Sequence, residues 1–544
     1  MNVRRRLERR WLGLPSARSS LLESITWMPA ADGVRLATRV WRPADARVRR
    51  GTVLIRTERP LGDGRAQSPI EQLGRWLAED GRTVAIQSCR GRDASEGVFH
   101  PFADEVADGD RALRWVAGEP WFDGELVLLG LGYSAFTAWA ALSAASGSVA
   151  ALVTGFGARD PYAWLYPGGV LQLEAALALA ARLDGRIGFE PTALDLERAG
   201  RHRPLGECDR VALRELAAFR SWLEHPRRDA WWSERTPALP DRLPRALFVS
   251  GWYECAFSAS YADFEAAARH AAQRDLPAPA LVLGPWGAAP LPREQRVRGS
   301  RDIAEVARSV LRFIAHAVGA RPVHDLLARV FVRGAGWREV GQWPPAAASD
   351  RTLYLRGGGR ANSLDGDGRL AKDPPGDDRA DTFVADPADP VPSLGGAAVS
   401  GVAGPVDQRP VEQRGDVLCF TSEPLVEALE LSGRVVLTLH AGKAAAPEDT
   451  SAKLVAVEPG GAAHWLCEGI TRAAPASGAD ALEIDLGVAG ARLAAGTRLR
   501  LEVAASSVPR FARPAHTDPM PRVRTVYHDG ERPSVLHFHA HPVS

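Results

Sequence analysis

The stretch VLLGLGYSAFTAW, Val127–Trp139, carries an apolar strand into a helix through Gly130, Gly132, Ser134 and Ala135. Small residues at that spacing let strand and helix backbones meet in a tight turn, the shape that presents a hydroxyl for nucleophilic attack. Two registers are open. With Ser134 at the tip, Gly132 lies two before it, but Phe136 lies two after it and would crowd the turn. With Gly132 at the tip, Gly130 lies two before, Ser134 two after and Ala135 three after, which fits better. The turn then has the form for covalent catalysis and no side chain to perform it. Cys255, beside Glu254, is a second candidate nucleophile. A reactive thiol needs a cation or a helix N-terminus to lower its pKa, and an adjacent carboxylate works the other way, so Cys255 reads as a small apolar filler. His537, His539 and His541 alternate and on a strand would share one face. No carboxylate or cysteine joins them at a metal-ligand spacing, so neither a metal nor a cofactor is expected. The loop Arg90–Gly97 has two glycines but no phosphate-binding pattern and reads as a structural turn.

The elements that must position these residues fall into three regions. From about Ser24 to Gly155, RLATRVWRP, GTVLIRTE, TVAIQS and ELVLLG read as strands, with helices at IEQLGRWLAEDG and EVADGDRALRWVAGEP. Continuous apolar runs separated by helices are the mark of a largely parallel sheet covered on both faces. Between about Arg159 and Asp241 strand signals vanish, and Leu171, Leu173, Ala176, Leu177 and Ala180 fall near helical spacing. Ala246–Trp252 and Ala280–Trp286 then resume the α/β pattern, so the helical segment is an insertion placed to cover the carboxyl ends of the strands. After about Pro344 glycine- and proline-rich turns separate short alternating runs at Arg434–His440, Lys453–Val457 and Thr497–Val503, the spacing of an antiparallel β-sandwich.

The 544 residues suit two or three domains. Lys plus Arg number 67 against 66 Asp plus Glu, a formal net charge of +1, which gives no electrostatic ground for a nucleic-acid partner. The basic run Arg4–Arg10 is short, carries Glu8, and reads as a solvated end or first helix. No apolar run follows those arginines and none approaches a membrane span, so the expectation is a cytoplasmic protein without a membrane partner. The five cysteines, Cys89, Cys208, Cys255, Cys419 and Cys467, are widely spaced without a CxxC pair, which argues for free thiols.

Several long segments carry a family likeness: DGVRLATRVWRP, CRGRDASEGVFHPFADEVADGDRALRWVAGEPWFDGELVLLG, GWYE, GPW, DPADPVPSLGG and GPVDQRPVEQRGDVLCF. On these the chain resembles the cocaine-esterase-like (CocE/NonD) hydrolases, relatives of the Xaa-Pro dipeptidyl-peptidases, over nearly its whole length. The resemblance implies an α/β-hydrolase fold in two parts, 1–156 and 242–345, a helical lid at 157–241 and a C-terminal jelly-roll β-sandwich at 346–544. It also implies where a triad would fall. The family's nucleophile position is matched by Gly132, its acid by Glu254, its histidine by Ala288, and its oxyanion tyrosine falls at or next to Arg59.

Hydrolysis by that route needs a hydroxyl and an imidazole to take its proton, and glycine and alanine supply neither. Glutamate for aspartate would be tolerable but cannot replace a base. Ser134 acting after a shift of the turn would give an esterase or amidase, yet a serine without a nearby imidazole is a weak nucleophile. The matching leaves a cleft lined by Tyr133, Trp252, Tyr253, Trp286 and Ser134, with Glu254, Arg59 and Glu58 as charges, the usual form of a small-molecule pocket. A desolvated Glu254 would exchange protons near neutral pH, with Arg59 holding a carboxylate or enolate and Tyr133 assisting. The bland alternative is a Glu254–Arg59 ion pair that fills the vacated space, with the aromatics packing as core. The expectation is thus a non-hydrolytic enzyme of lyase, isomerase, cyclase or condensing type acting on a small acyl or carboxyl-containing metabolite of secondary metabolism. A catalytically inactive protein that binds a ligand or partner is the alternative, and self-association is left open.

Overall fold

The computed structural model describes residues 3–48, 50–62, 68–145, 149–185, 193–292, 302–318, 328–442, 447–473, 481–514 and 520–543. Its first layer is a ten-stranded sheet: β1 (Leu21–Pro29), β2 (Arg35–Pro43), β3 (Thr52–Thr57), β4 (Thr83–Ser88), β5 (Leu126–Leu131), β6 (Ala151–Gly155), β7 (Arg245–Tyr253), β8 (Ala280–Gly287), β9 (Ala328–Val332) and β10 (Gly336–Val340). The order across the sheet is β1-β2-β4-β3-β5-β6-β7-β8-β9-β10. From β4 to β9 every neighbouring pair is parallel, while β1 on β2, β2 on β4 and β10 on β9 are antiparallel. Every residue of β3 and β4 is buried, which is why TVLIRT and TVAIQS read as unbroken runs rather than alternating ones. The helix Pro69–Glu79 starts where Ser68 caps the Glu71 N–H and Pro69 fixes the first turn, and it lays Leu73, Trp76 and Leu77 on the sheet.

Two features depart from the sequence reading. The sheet gains β9 and β10 beyond the expected strands. The basic N-terminal run forms the helix Val3–Trp11, but Arg9 is buried there and bonds Glu79 at 2.9 Å and the Trp76 carbonyl at 3.3 Å. That arginine anchors the helix to the helix Pro69–Glu79 instead of facing solvent.

Between β6 and β7 the described residues form helices and no strand. The longest, Leu173–Leu183, is buried almost all round, with Arg182 its single basic residue. The C-terminal part is a second, mainly antiparallel sheet of eleven strands, from Ser349–Arg356 to Val535–Pro542. The last strand pairs on both sides, so His537, His539 and His541 stand on one face of an interior strand; His539 meets Asp350 at 2.9 Å. Among the described residues no group of three acidic, cysteine or histidine side chains is arranged to hold a metal. The two sheets join through the loop after β9: the Arg333 N–H donates to Gly490 O at 3.0 Å and the Arg492 N–H to Arg333 O at 2.7 Å. All five cysteines are free, four of them buried and Cys255 half-buried. No helix among the described residues is long and apolar enough to cross a membrane.

Candidate active site

The turn after β5 has Gly132 at its tip. Its φ of 71° and ψ of −133° lie in a region that side chains rarely enter, while Tyr133 already begins the helix Tyr133–Ser143. The Gly132 N–H donates to Gly155 O at 2.9 Å, tying the tip to the end of β6. A Cβ on Gly130 would come within 1.8 Å of Ser134 O, and one on Gly157 within 2.1 Å of Gly132 O, so both flanks require glycine. At Gly132 itself an added Cβ would meet nothing within 4 Å. The turn is closed on both sides and open at its tip, Gly132.

Ser134 is the second residue of the helix and buried, and no histidine hydrogen-bonds to it among the described residues. Tyr133 is committed elsewhere. Its hydroxyl accepts the Phe102 N–H at 2.9 Å and donates to Glu105 Oε1 at 3.2 Å, and Glu105 in turn pairs with Arg56 at 3.0 Å. Burial pushes the Tyr133 phenol well above its ordinary pKa. What Tyr133 offers the tip is its backbone N–H, one of the unpaired donors at a helix start.

Glu254 follows β7 directly, held by its N–H on Gly251 O at 3.2 Å and by its carbonyl, which accepts the Phe257 N–H at 3.0 Å. Its carboxylate has no hydrogen bond or ion pair among the described residues, and burial raises its pKa to about 7, opposed by the charge of Arg182. The expected Glu254–Arg59 ion pair is therefore not formed. Arg59 instead lies 3.6 Å from the buried Glu58, at the end of β3. Burial lowers the Arg59 pKa, Glu58 opposes that, and Arg182 adds to it. Arg182, and Arg92, on which the same Glu58 charge acts, belong to the same charged group and were not singled out in the sequence. The signal for Arg182 was its position as the one basic residue in an apolar helix. Cys255 has its thiol pushed up to about 12, by burial first and Glu254 second, the opposite of an activated thiol.

The aromatics divide among different walls. Trp252 donates its indole N–H to Phe331 O at 2.6 Å and packs on Phe257 and Trp343. Tyr253 faces Trp465 of the second sheet at 5.8 Å between centroids. Trp286 packs between Phe156 and Trp337, with its indole nitrogen unpaired among the described residues. Ala288 lies exposed just beyond β8. Trp252, Glu254 and Cys255 share a cavity of about 430 Å³ with Tyr166 from the helical segment and Trp465 and Phe511 from the C-terminal part. The cavity therefore lies where the three regions meet, whereas Trp286 and Arg59 lie outside its lining.

A mostly parallel sheet with a left-handed tip between a central strand and its helix, joined to a second β-rich unit, defines an α/β-hydrolase-like protein. The chain belongs to the family of cocaine esterase and the X-Pro dipeptidyl-peptidases, the CocE/NonD hydrolases. Residues 32–287 match the X-Pro dipeptidyl-peptidase (S15 family) pattern and residues 326–537 that of the X-Pro dipeptidyl-peptidase C-terminal non-catalytic domain. Cocaine esterase of Rhodococcus sp. (strain MB1 Bresler) is 32% identical over 539 residues, covering 90% of this chain and 92% of that protein. Among solved structures, an aminopeptidase from a marine sediment Thaumarchaeota archaeon aligns with a TM-score of 0.79 at 21% identity, covering 96% of this chain and 97% of the other. An α-amino acid ester hydrolase aligns at 0.78 and 23%, with the same coverage.

Proposed function

We propose that this member of a hydrolase family has left serine hydrolysis and acts as a lyase, isomerase, cyclase or condensing enzyme on a small metabolite bearing an acyl or carboxyl group. The observation that carries this reading is Glu254: a half-buried carboxyl group just beyond β7, without a partner among the described residues, whose desolvation raises its pKa to about 7. Such a group takes a proton from a carbon acid and returns it at neutral pH. The open space at Gly132 gives the substrate room where the family's nucleophile would stand, and the unpaired N–H groups at the start of the Tyr133–Ser143 helix favour the negative charge that develops. Arg59 supplies positive charge from beyond β3, Trp252 and Tyr166 form part of the cavity wall, Tyr253 packs behind it on Trp465, and the helical segment 157–241 serves as the lid.

The test has two arms. Intact-mass measurement after treatment with a broad fluorophosphonate is expected to show no adduct; an adduct lost in Ser134→Ala would return the protein to esterase or amidase chemistry. A panel of carboxylic acids and their thioesters in D2O is expected to include one whose α-protons exchange with wild type and not with Glu254→Gln. Saturable binding without exchange would favour the second reading, a ligand- or partner-binding protein without turnover. That reading draws its support from Tyr133, whose phenol is already engaged by Glu105 and Phe102.

A further inference from the structure

Arg92 sits in the loop after β4, only 9% exposed, and its side chain makes no hydrogen bond or ion pair among the described residues. Its Nε is fully buried and unpaired, and its guanidinium lies over the Phe99 ring at 4.0 Å. A buried guanidinium N–H without an acceptor is unfavourable unless something anionic completes its surroundings. The head of Arg92 reaches Gly185, at the end of the Leu173–Leu183 helix: a Cβ there would be 2.0 Å from Nη1. One turn earlier on the same helix stands Arg182, half-buried and likewise without a hydrogen bond or ion pair among the described residues. Its charge acts on Arg59 and on Glu254, while that of Glu58 acts on both Arg92 and Arg59.

Three guanidinium groups, from just beyond β3, from the β4 loop and from the inserted helix, thus gather with the carboxyl groups of Glu58 and Glu254, and Asp184 acts on Arg92 as well. The group lies at the carboxyl edge of the sheet beside the Gly132 turn, since Thr137 of the elbow helix donates to the carbonyl of Arg56 in β3 at 2.8 Å. Among the described residues the side chains of Arg92 and Arg182 have no hydrogen-bond or ion-pair partner within this cluster. Guanidinium groups bind planar and tetrahedral oxyanions through paired N–H donors.

We propose that Arg92 and Arg182, with Arg59, form a cradle for an anionic group of the ligand, a carboxylate or a phosphate, and so define the substrate as an acid. The proposal deepens the reading of Glu254 and rests on it for the reaction, but its test does not depend on turnover. Titration calorimetry of the full chain with malonate, succinate and inorganic phosphate, against sodium chloride at equal ionic strength, is expected to show saturable binding of at least one of the three. Malonate or succinate binding identifies a carboxylate site, phosphate binding alone a phosphate site. Arg92→Gln and Arg182→Gln are each expected to weaken that binding by about tenfold or more, and Glu254→Gln to retain it. Far-UV circular dichroism and the thermal midpoint verify the fold of each variant. Absence of saturable binding by wild type, or binding by folded arginine variants equal to wild type, overturns the cradle. Either result leaves the proton-exchange arm for Glu254 standing or falling on its own.

Discussion

Glu254 shows how much a single carboxyl group can report. In the unfolded chain its pKa lies near the ordinary 4.5, and in the folded protein it is about 7. Between these values the folded state holds a proton that the unfolded state has released, so this residue's contribution to stability falls as pH rises from about 4.5 to about 7 and is flat outside that window. The full cost above pH 7 is at most about 3 kcal/mol. Glu254→Gln, which cannot ionise, is therefore expected to melt above wild type at pH 8 and much closer to it at pH 4.5. Thermal midpoints across that range measure it; a difference independent of pH would mean that Glu254 is solvated. The rate of any proton transfer in which Glu254 is the base runs the other way, rising through pH 7 as the base ionises.

The elbow and its neighbouring strands belong to the scale of the element. Gly130 and Gly157 leave no room for a side chain, whereas the space at Gly132 is open. Gly132→Ser with Ala288→His is expected to gain fluorophosphonate labelling and hydrolysis of activated esters, because the tip at Gly132 is open and Ala288 lies exposed just beyond β8. The serine in that backbone conformation is expected to cost about 1–3 kcal/mol, measured as a lowered midpoint relative to Ala288→His alone. No labelling of a folded double variant would mean that serine and histidine do not meet there. At this scale the sequence was legible where burial is complete: β3, β4 and β5 showed as unbroken apolar runs, and glycines spaced by two marked the turn. It was not legible in β9 and β10, five residues each, where GWREV is half-exposed and carries no apolar period. Arg92 and Arg182 were missed for a different reason. They lie 90 residues apart, and only the tertiary fold brings their charges together.

For the whole molecule, the seam between the two sheets decides whether the parts hold together. Trp252 crosses it, packed so closely on Gly490 that a Cβ there would come within 2.4 Å of its ring, and the Arg333 loop bonds the same segment through its backbone. Gly490→Ala is expected to cost about 1–3 kcal/mol by overpacking and to lower the thermal midpoint, with most of that loss recovered in Gly490→Ala/Trp252→Phe, where the ring is smaller. An equal midpoint in wild type and Gly490→Ala would mean that the seam is loose. The resemblance carried this level of the architecture from sequence to structure, since a β-rich C-terminal unit was expected from turn spacing and from the DPADPVPSLGG and DQRP segments. The contact itself was not legible, because nothing in the local pattern of Trp252 distinguishes a core tryptophan from one facing another sheet.

The conformation at Gly132 has one more consequence, for the direction in which such a protein can change. Glycine occupies that corner of backbone space freely, whereas serine must be held there by its surroundings. Exchange of a serine for glycine at such a tip releases strain and raises stability, and the reverse exchange spends it again. At a tip of this shape a change from glycine to serine is therefore uphill for the fold, and persists only where a gain in activity outweighs a less stable chain.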